Sequence, residues 1–266
     1  RTVVNALAGA GKTTTLVAAA RAFKRLSPES RILSLQFNTK NAAEARRRMP
    51  DNTMALTTHS LAYRSFSGSQ LAAIKGKMGI VSGDKNVGAF FNFDEIPLFG
   101  ENANQTKVAS IVRRIVDRFS NSADDEITKK HVRGVLERMI PLDSSIDPNN
   151  FELDPRWLEY SQMYWNDLNR TDSLLKSDEK KKGKDGKSYN PLLPNQRIGI
   201  NGTEYLKMWA MTNPDLSAMV VNGEKVDVVF FDEAQDTNAA VAKMIANQKD
   251  GLQIAHVGDP NQAIYE

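Results

Sequence analysis

Ala6-Leu7-Ala8-Gly9-Ala10-Gly11-Lys12-Thr13-Thr14 lies between a short apolar run, residues 2–7, and a helical pattern, residues 16–23. A strand, a glycine-containing turn and a helix in that order are the setting of a phosphate-binding loop. Glycines let the backbone curl so that several N–H groups point inward, and the helix N-terminus adds partial positive charge. In such a loop Ala8, Gly9, Ala10, Gly11 and Thr14 would wrap the phosphates. Lys12 would reach the β- and γ-phosphates, and the Thr13 hydroxyl would ligate Mg²⁺. The general pattern opens with glycine, whereas this chain has Ala6. The bland alternative is a Gly/Ala-rich turn without a ligand.

At 266 residues the chain can bury a core of one large or two modest domains. Its apolar share of 41% and charged share of 25% are those of an ordinary globular protein. A net charge of +3 does not by itself argue for nucleic acid. The absence of cysteine excludes disulfides, thiolate zinc sites and iron–sulfur clusters within this chain, and fits an intracellular protein. No apolar run approaches the ~18 residues of a membrane-spanning helix. Both ends read as cuts through a longer protein, because Arg1 lies inside a strand pattern and Glu266 directly follows a motif.

Taken in order, residues 31–37 predict a second strand, residues 40–49 a helix capped from Asn38-Thr39, and residues 53–57 a third strand. Strands alternating with helices argue for an α/β layer with a parallel sheet. Residues 68–88 read as a glycine-punctuated loop. Beyond it, Val108, Ile111, Val112, Ile115, Val116 and Phe119 recur at helical spacing. Further helices are expected over residues 131–140 and 155–168. Trp157, Tyr160, Tyr164 and Trp165 on the latter are read as core rather than as a base-stacking platform.

Residues 176–187 hold six lysines against three acids, with Gly183 and Gly186. A solvated, mobile loop is favoured there over a DNA-backbone contact. Regular α/β order returns with a helix over residues 203–211, a buried strand over 226–231, a helix over 237–248 and a strand over 252–257. Residues 1–66 and 200–266 together have the size of one α/β domain, and 67–199 are best read as an inserted, mainly helical subdomain.

The apolar run before Asp232-Glu233 ends in the acidic pair that a P-loop nucleotidase needs. Asp232 would hold Mg²⁺, and Glu233 would orient or deprotonate the attacking water. Loops at the carboxyl ends of sheet strands converge on one crevice, so Asp232-Glu233 and Gly11-Lys12-Thr13 can meet despite their separation. His131 and His256 are assigned to structure.

Three stretches in the correct order, residues 8–13, 232–236 and 257–265, resemble motifs I, II and III of the UvrD/Rep-type superfamily 1A DNA helicases. Phe37-Asn38-Thr39-Lys40 resembles motif Ia, and Thr57-Thr58-His59-Ser60 the DNA-facing motif that follows it. Ala6 is common at its position in that family. Residues 203–209 and 11–16 resemble the F-box DNA helicase branch. The resemblance implies a RecA-like P-loop domain (1A) interrupted by a 1B-like helical insertion. It further implies ATP and Mg²⁺ as ligands and 3′→5′ motion on single-stranded DNA toward duplex junctions, in DNA repair or recombination. Gln262 would sense the γ-phosphate, and Phe37, Asn38, Thr58, His59 and Tyr265 would line the single-strand path. Such a protein would be cytoplasmic in a prokaryote or virus and nuclear in a eukaryote.

One departure and two absences accompany the resemblance. Thr14 stands where many relatives carry an arginine near the adenine. The adenine-reading glutamine would precede Arg1, and the second RecA-like domain with its arginine fingers would follow Glu266. Nucleotide hydrolysis by residues 1–266 alone is therefore expected to be poor. Two rivals stay open: a nucleotide-gated DNA-binding module that does not unwind, and the motor part of a helicase–nuclease.

Overall fold

The apolar run before Asp232 forms the centre of the sheet. The computed structural model describes residues 2–5, 11–78, 80, 82–148, 150–170, 181–182, 188–189 and 198–259. Five parallel strands, β1 (Thr2–Asn5), β2 (Ile32–Gln36), β3 (Thr53–Thr57), β4 (Val228–Asp232) and β5 (Gln253–Gly258), are arranged in the order β1-β5-β4-β2-β3. Every residue of β4 is buried, as a strand covered on both faces requires. Its Val228 pairs with Ile32 on one side and Gln253 on the other. Chain order runs outward through β2 and β3, then returns through β4 to β5. That reversal makes a crevice at the carboxyl edge, where ligands of open α/β sheets bind.

Helices α1 (Lys12–Leu26) and α2 (Thr39–Arg48) cover one sheet face. Leu16, Val17 and Ala20 of α1 and Ala45 of α2 pack with Ile32, Ala55, Val228, Phe230 and Val257. Period-2 alternation sends Leu33, Leu35, Val229, Phe231 and Ile254 to the other face, where they too are buried. The Asn38 carbonyl oxygen of the side chain accepts from the Asn41 N–H (2.8 Å), the N-cap expected for α2. Helix α3 (Thr58–Ser65) follows β3 without a loop, and the Thr57 hydroxyl accepts from the Ser60 N–H at 3.1 Å.

The chain divides into two compact units, Arg1–Ser65 with Trp209–Glu266, and Phe66–Met208. The second contains α4 (Gly68–Met78), α5 (Asp84–Phe91), a hairpin of Ile96–Leu98 with Glu101–Ala103, α6 (Gln105–Ser120), α7 (Lys129–Leu136) and α8 (Arg156–Asn169). It also takes the first turns of α9 (Gly202–Met211). Residues 200–208 thus belong to this unit, whereas the sequence pattern assigns them to the α/β core domain of residues 1–66 and 200–266. The buried Lys207 ammonium explains the difference: it donates to the carbonyls of Ser122 (2.8 Å) and Asp124 (2.6 Å) and lies 4.4 Å from the Phe119 ring centre.

The expectation of a loop over residues 68–88 is corrected to two helices. Gly68, Gly83 and Gly88 mark helix boundaries and a close contact rather than a continuous loop. Gly68 takes φ +53° at the start of α4, and Gly83 caps α5. A Cβ at Gly88 would stand 2.8 Å from the Gln105 carbonyl oxygen, so its absence lets α5 close on the start of α6. Between the glycines, Ala73 and Ile74 are buried.

The six apolar positions expected on one helix face are all buried on α6. Trp157 and Tyr164 are buried, Tyr160 stacks on Phe93 (4.5 Å) and Trp165 meets Phe119 edge-on (5.1 Å). The aromatics of α8 are core. His131 is buried, its Nε2 3.0 Å from Asp124 and its Nδ1 accepting from the Thr128 N–H (3.0 Å). Of residues 176–187 only the paired stretch Lys181–Lys182 is described, against Ser188–Tyr189; the remainder of the lysine segment lies outside the described residues.

Glu204 illustrates the cost of a buried carboxylate in this unit. It is 4% exposed and completes a reciprocal cap of α9, accepting from the Asn201 N–H (2.8 Å) while its own N–H donates to the Asn201 side chain (3.0 Å). Burial pushes its pKa from 4.5 up to about 7; Asp117 adds to the rise, and Arg113 and Lys77 oppose it. A carboxyl group raised in the folded state favours folding when protonated. Its contribution is therefore full below pH ~4.5 and lost as pH rises through about 7, a change of order 3 kcal/mol. Chemical denaturation at pH 5 and pH 8 checks this. Glu204→Gln is expected to flatten the difference, and equal pH dependence in both proteins contradicts the assignment.

Candidate functional site

The carboxyl edge of the sheet gathers residues that are far apart in sequence. Gly11 adopts φ +82° as the N-cap of α1, a left-handed conformation that glycine takes without steric cost. It turns the chain so that Lys12, the first residue of α1, is buried and its Nζ lies 2.8 Å from Glu233 Oε2. The neighbouring Thr13 hydroxyl donates to Asp232 Oδ2 at 3.4 Å. Asp232 is the last residue of the central strand. Glu233 turns at once out of the strand with φ +53°, an uncommon conformation for a residue with a side chain. Its N–H donates to Asp232 Oδ1 at 3.1 Å. The strained residue is the one whose carboxylate is re-aimed toward Lys12, consistent with backbone strain stored at functional sites.

Burial, and then the Glu233 carboxylate beside it, pushes the Asp232 carboxyl above the usual carboxylate range. A cation at this carboxylate would relieve both effects. Among the described residues no group of three or more His, Cys, Asp or Glu side chains could hold a metal. The hydroxyl–carboxylate pair of Thr13 and Asp232 nevertheless fits Mg²⁺, a hard cation that takes few protein oxygens and completes its shell with phosphate and water.

Beyond the acidic pair, a short 3₁₀ turn (Ala234–Asp236) places the Gln235 side chain between two strand ends. Its Nε2 donates to Glu233 Oε2 (2.8 Å) and Asp236 Oδ2 (3.2 Å), and its Oε1 accepts from the Asp259 N–H (3.0 Å). Carboxylates only accept and an N–H only donates, so this amide orientation alone satisfies all three partners. Gln235, within residues 232–236, carries no role legible in the sequence, because the 3₁₀ turn that aims it at Glu233 leaves no periodic signal. Arg48 gives no sequence signal either: its Nη2 donates to the Thr14 hydroxyl at 2.8 Å, while Nη1 pairs with Glu44.

The other half of the same edge carries the expected DNA-facing residues. Gln36 and Thr57, the last residues of β2 and β3, pair in register. Phe37-Asn38 and Thr58-His59 therefore emerge side by side. Phe37 is 39% exposed, unusual for a phenylalanine at the end of a fully buried strand. Burial lowers the His59 pKa, favouring the neutral ring. Asn38 is occupied in part as the α2 cap. Ala8, Gly9, Ala10, Gln262 and Tyr265 lie outside the described residues. The structure thus brings Gly11, Lys12, Thr13, Asp232 and Glu233 together on one half of the edge, with Phe37, Asn38, Thr58 and His59 on the other.

The family model of the UvrD/REP helicase N-terminal domain matches residues 1–266. F-box DNA helicase 1 of Gallus gallus is 28% identical over 270 residues, 98% of this chain and 22% of the relative. F-box DNA helicase protein 1 of Schizosaccharomyces pombe is 24% identical over 269 residues, 98% of this chain and 26% of the relative. The chain thus spans about a quarter of the length of these relatives. Among the described residues no helix is long and apolar enough to cross a membrane.

Proposed function

The chain belongs to the UvrD/REP helicase family, and on that premise we propose that it is the first motor domain of an ATP-driven DNA helicase. The observation that carries the reading is the convergence of Lys12 on Glu233 (2.8 Å) and Thr13 on Asp232 (3.4 Å), from the first turn of α1 and the end of β4. A structural salt bridge needs only the first pair. A nucleoside triphosphate site needs both, at a helix N-terminus. In this reading the residue 8–14 loop cradles the phosphates, Lys12 binds the β- and γ-phosphates and Glu233 positions the attacking water. Thr13 and Asp232 would hold Mg²⁺, which supplies charge neutralisation on the phosphates. Gln262 would sense the γ-phosphate.

Single-stranded DNA would cross the edge at Phe37, Asn38, Thr58, His59 and Tyr265. A base stacked on the exposed Phe37 ring would contribute ~1–3 kcal/mol. We read the Phe66–Met208 unit as the inserted 1B-like subdomain, and take the direction of travel, 3′→5′, from the family.

Strand displacement by the full-length protein tests this. With ATP and Mg²⁺, a duplex with a 3′ single-stranded tail is expected to be unwound, and one with a 5′ tail is not. Nucleotide-modulated DNA binding without displacement would instead support the binding-module alternative, and displacement confined to the 5′ tail would overturn the direction.

A further inference from the structure

The Lys12 ammonium and the Gln235 amide share a single acceptor. Both approach Glu233 Oε2, at 2.8 Å each. If Lys12 engages phosphate, as the proposed function requires, its ammonium divides its donors between phosphate and Glu233, and its hold on the carboxylate weakens. Gln235 is the neighbour fitted to keep Glu233 oriented once Lys12 is drawn away. From the structure we infer that Gln235 is a positioning residue for hydrolysis, holding the Glu233 carboxylate in register with the end of β5. This inference rests on the proposed ATP site and adds to it.

Three features support the role. Gln235 is anchored at both ends of its amide: Nε2 holds the carboxylate, and Oε1 accepts from the Asp259 N–H at 3.0 Å. A displacement of the β5 end is therefore felt at Glu233 through one planar group. Gly258, directly before Asp259, has its missing side chain filled by this amide, since a Cβ there would stand 2.4 Å from Gln235 Oε1. The strand end and the glutamine are thus fitted to each other. Finally, Glu233 sits at φ +53°, an uncommon backbone conformation for a residue with a side chain, and the amide bond ties its carboxylate to the turn that follows.

The test is steady-state ATP turnover by the full-length protein with saturating single-stranded DNA, comparing wild type, Lys12→Ala, Gln235→Ala, Gly258→Ala and the Gln235→Ala/Gly258→Ala double variant. Gln235→Ala is expected to lower kcat roughly 10- to 100-fold, the worth of one hydrogen bond to a charged group. KM for ATP should stay within about 2-fold, because the interaction acts on hydrolysis and not on ground-state binding. Gly258→Ala, which displaces the amide without altering it, should lower kcat in the same direction. The double variant should be no worse than the more damaged single, since both break one link. Unchanged kcat in Gln235→Ala, a rise in KM at constant kcat, or multiplicative losses in the double variant would overturn the inference. If wild type turns over ATP and Lys12→Ala abolishes it while Gln235→Ala does nothing, only the positioning role falls. If Lys12→Ala leaves turnover intact, the proposed site itself falls.

Discussion

Replacing Lys12 with alanine is expected to lower DNA-stimulated ATP turnover by the full-length protein roughly 10²- to 10³-fold, the usual loss when one preorganised donor is removed from a developing negative charge. The side chain is 8% exposed, so its ammonium acts where water screens little. It starts the helix whose N-terminal N–H groups face the same point, and nothing else described in the first turn of α1 is cationic. The fold should survive. Glu233, 25% exposed, keeps water and the Gln235 amide as partners when Lys12 is gone. Steady-state kinetics beside a thermal melt separates the outcomes: lost turnover with a native-like melt supports a phosphate-binding lysine, and lost folding points to a structural salt bridge.

Glu233→Gln should remove turnover by a different route. Glutamine keeps the length of the side chain and an oxygen that accepts from Gln235, but it cannot take a proton from water. Loss of a positioned general base costs roughly 10²- to 10⁴-fold in kcat. Nucleotide affinity should hold or improve, because the carboxylate that competes with phosphate for Lys12 at 2.8 Å is neutralised. Asp232, whose carboxyl is pushed up partly by Glu233, loses that repulsion as well. Equilibrium binding of ATP with Mg²⁺, set beside kcat, shows the split. Parallel loss of binding and turnover would mean that Glu233 holds the loop in place and does not act on water.

The site and the Phe66–Met208 unit differ in how much of each the sequence exposes. Gly11-Lys12-Thr13 and Asp232-Glu233 were legible because a left-handed glycine, a helix start and a fully buried strand each leave a local signature. Their meeting followed from the parallel sheet, whose carboxyl edge collects both. The inserted unit was harder. The periodic apolar face of α6 was plain, whereas residues 68–88 read as loop because Gly68 and Gly83 mark helix starts with the same residue that marks turns. Gln235 shows a second limit. Its importance lies in three hydrogen bonds to groups at the ends of two strands, and no spacing rule reports where a 3₁₀ turn aims an amide. Glu204 shows a third, since an ordinary glutamate in a helix pattern gives no hint that it is buried beside Arg113, Asp117 and Lys77.

Under the proposed function, the sheet edge would have two jobs. The ends of β1, β5 and β4 lie together in the strand order, and the ends of β2 and β3 beside them. Asp232 on the last strand of the first group is one hydrogen-bonded neighbour away from β2, which delivers Phe37 and Asn38. A nucleotide-driven shift of β4 or its following turn would therefore reach Phe37 and Asn38, proposed to face DNA, across one strand pairing, and Thr58 and His59 across two.

The measurement that bears most directly on the central claim is ATP turnover by the full-length protein, wild type and Glu233→Gln, across a titration of single-stranded DNA. The wild type is expected to accelerate as DNA is added and then saturate, while Glu233→Gln stays near background at every DNA concentration. Turnover indifferent to DNA, or equal turnover in the two proteins, would contradict a DNA-driven ATP site built from Lys12, Asp232 and Glu233.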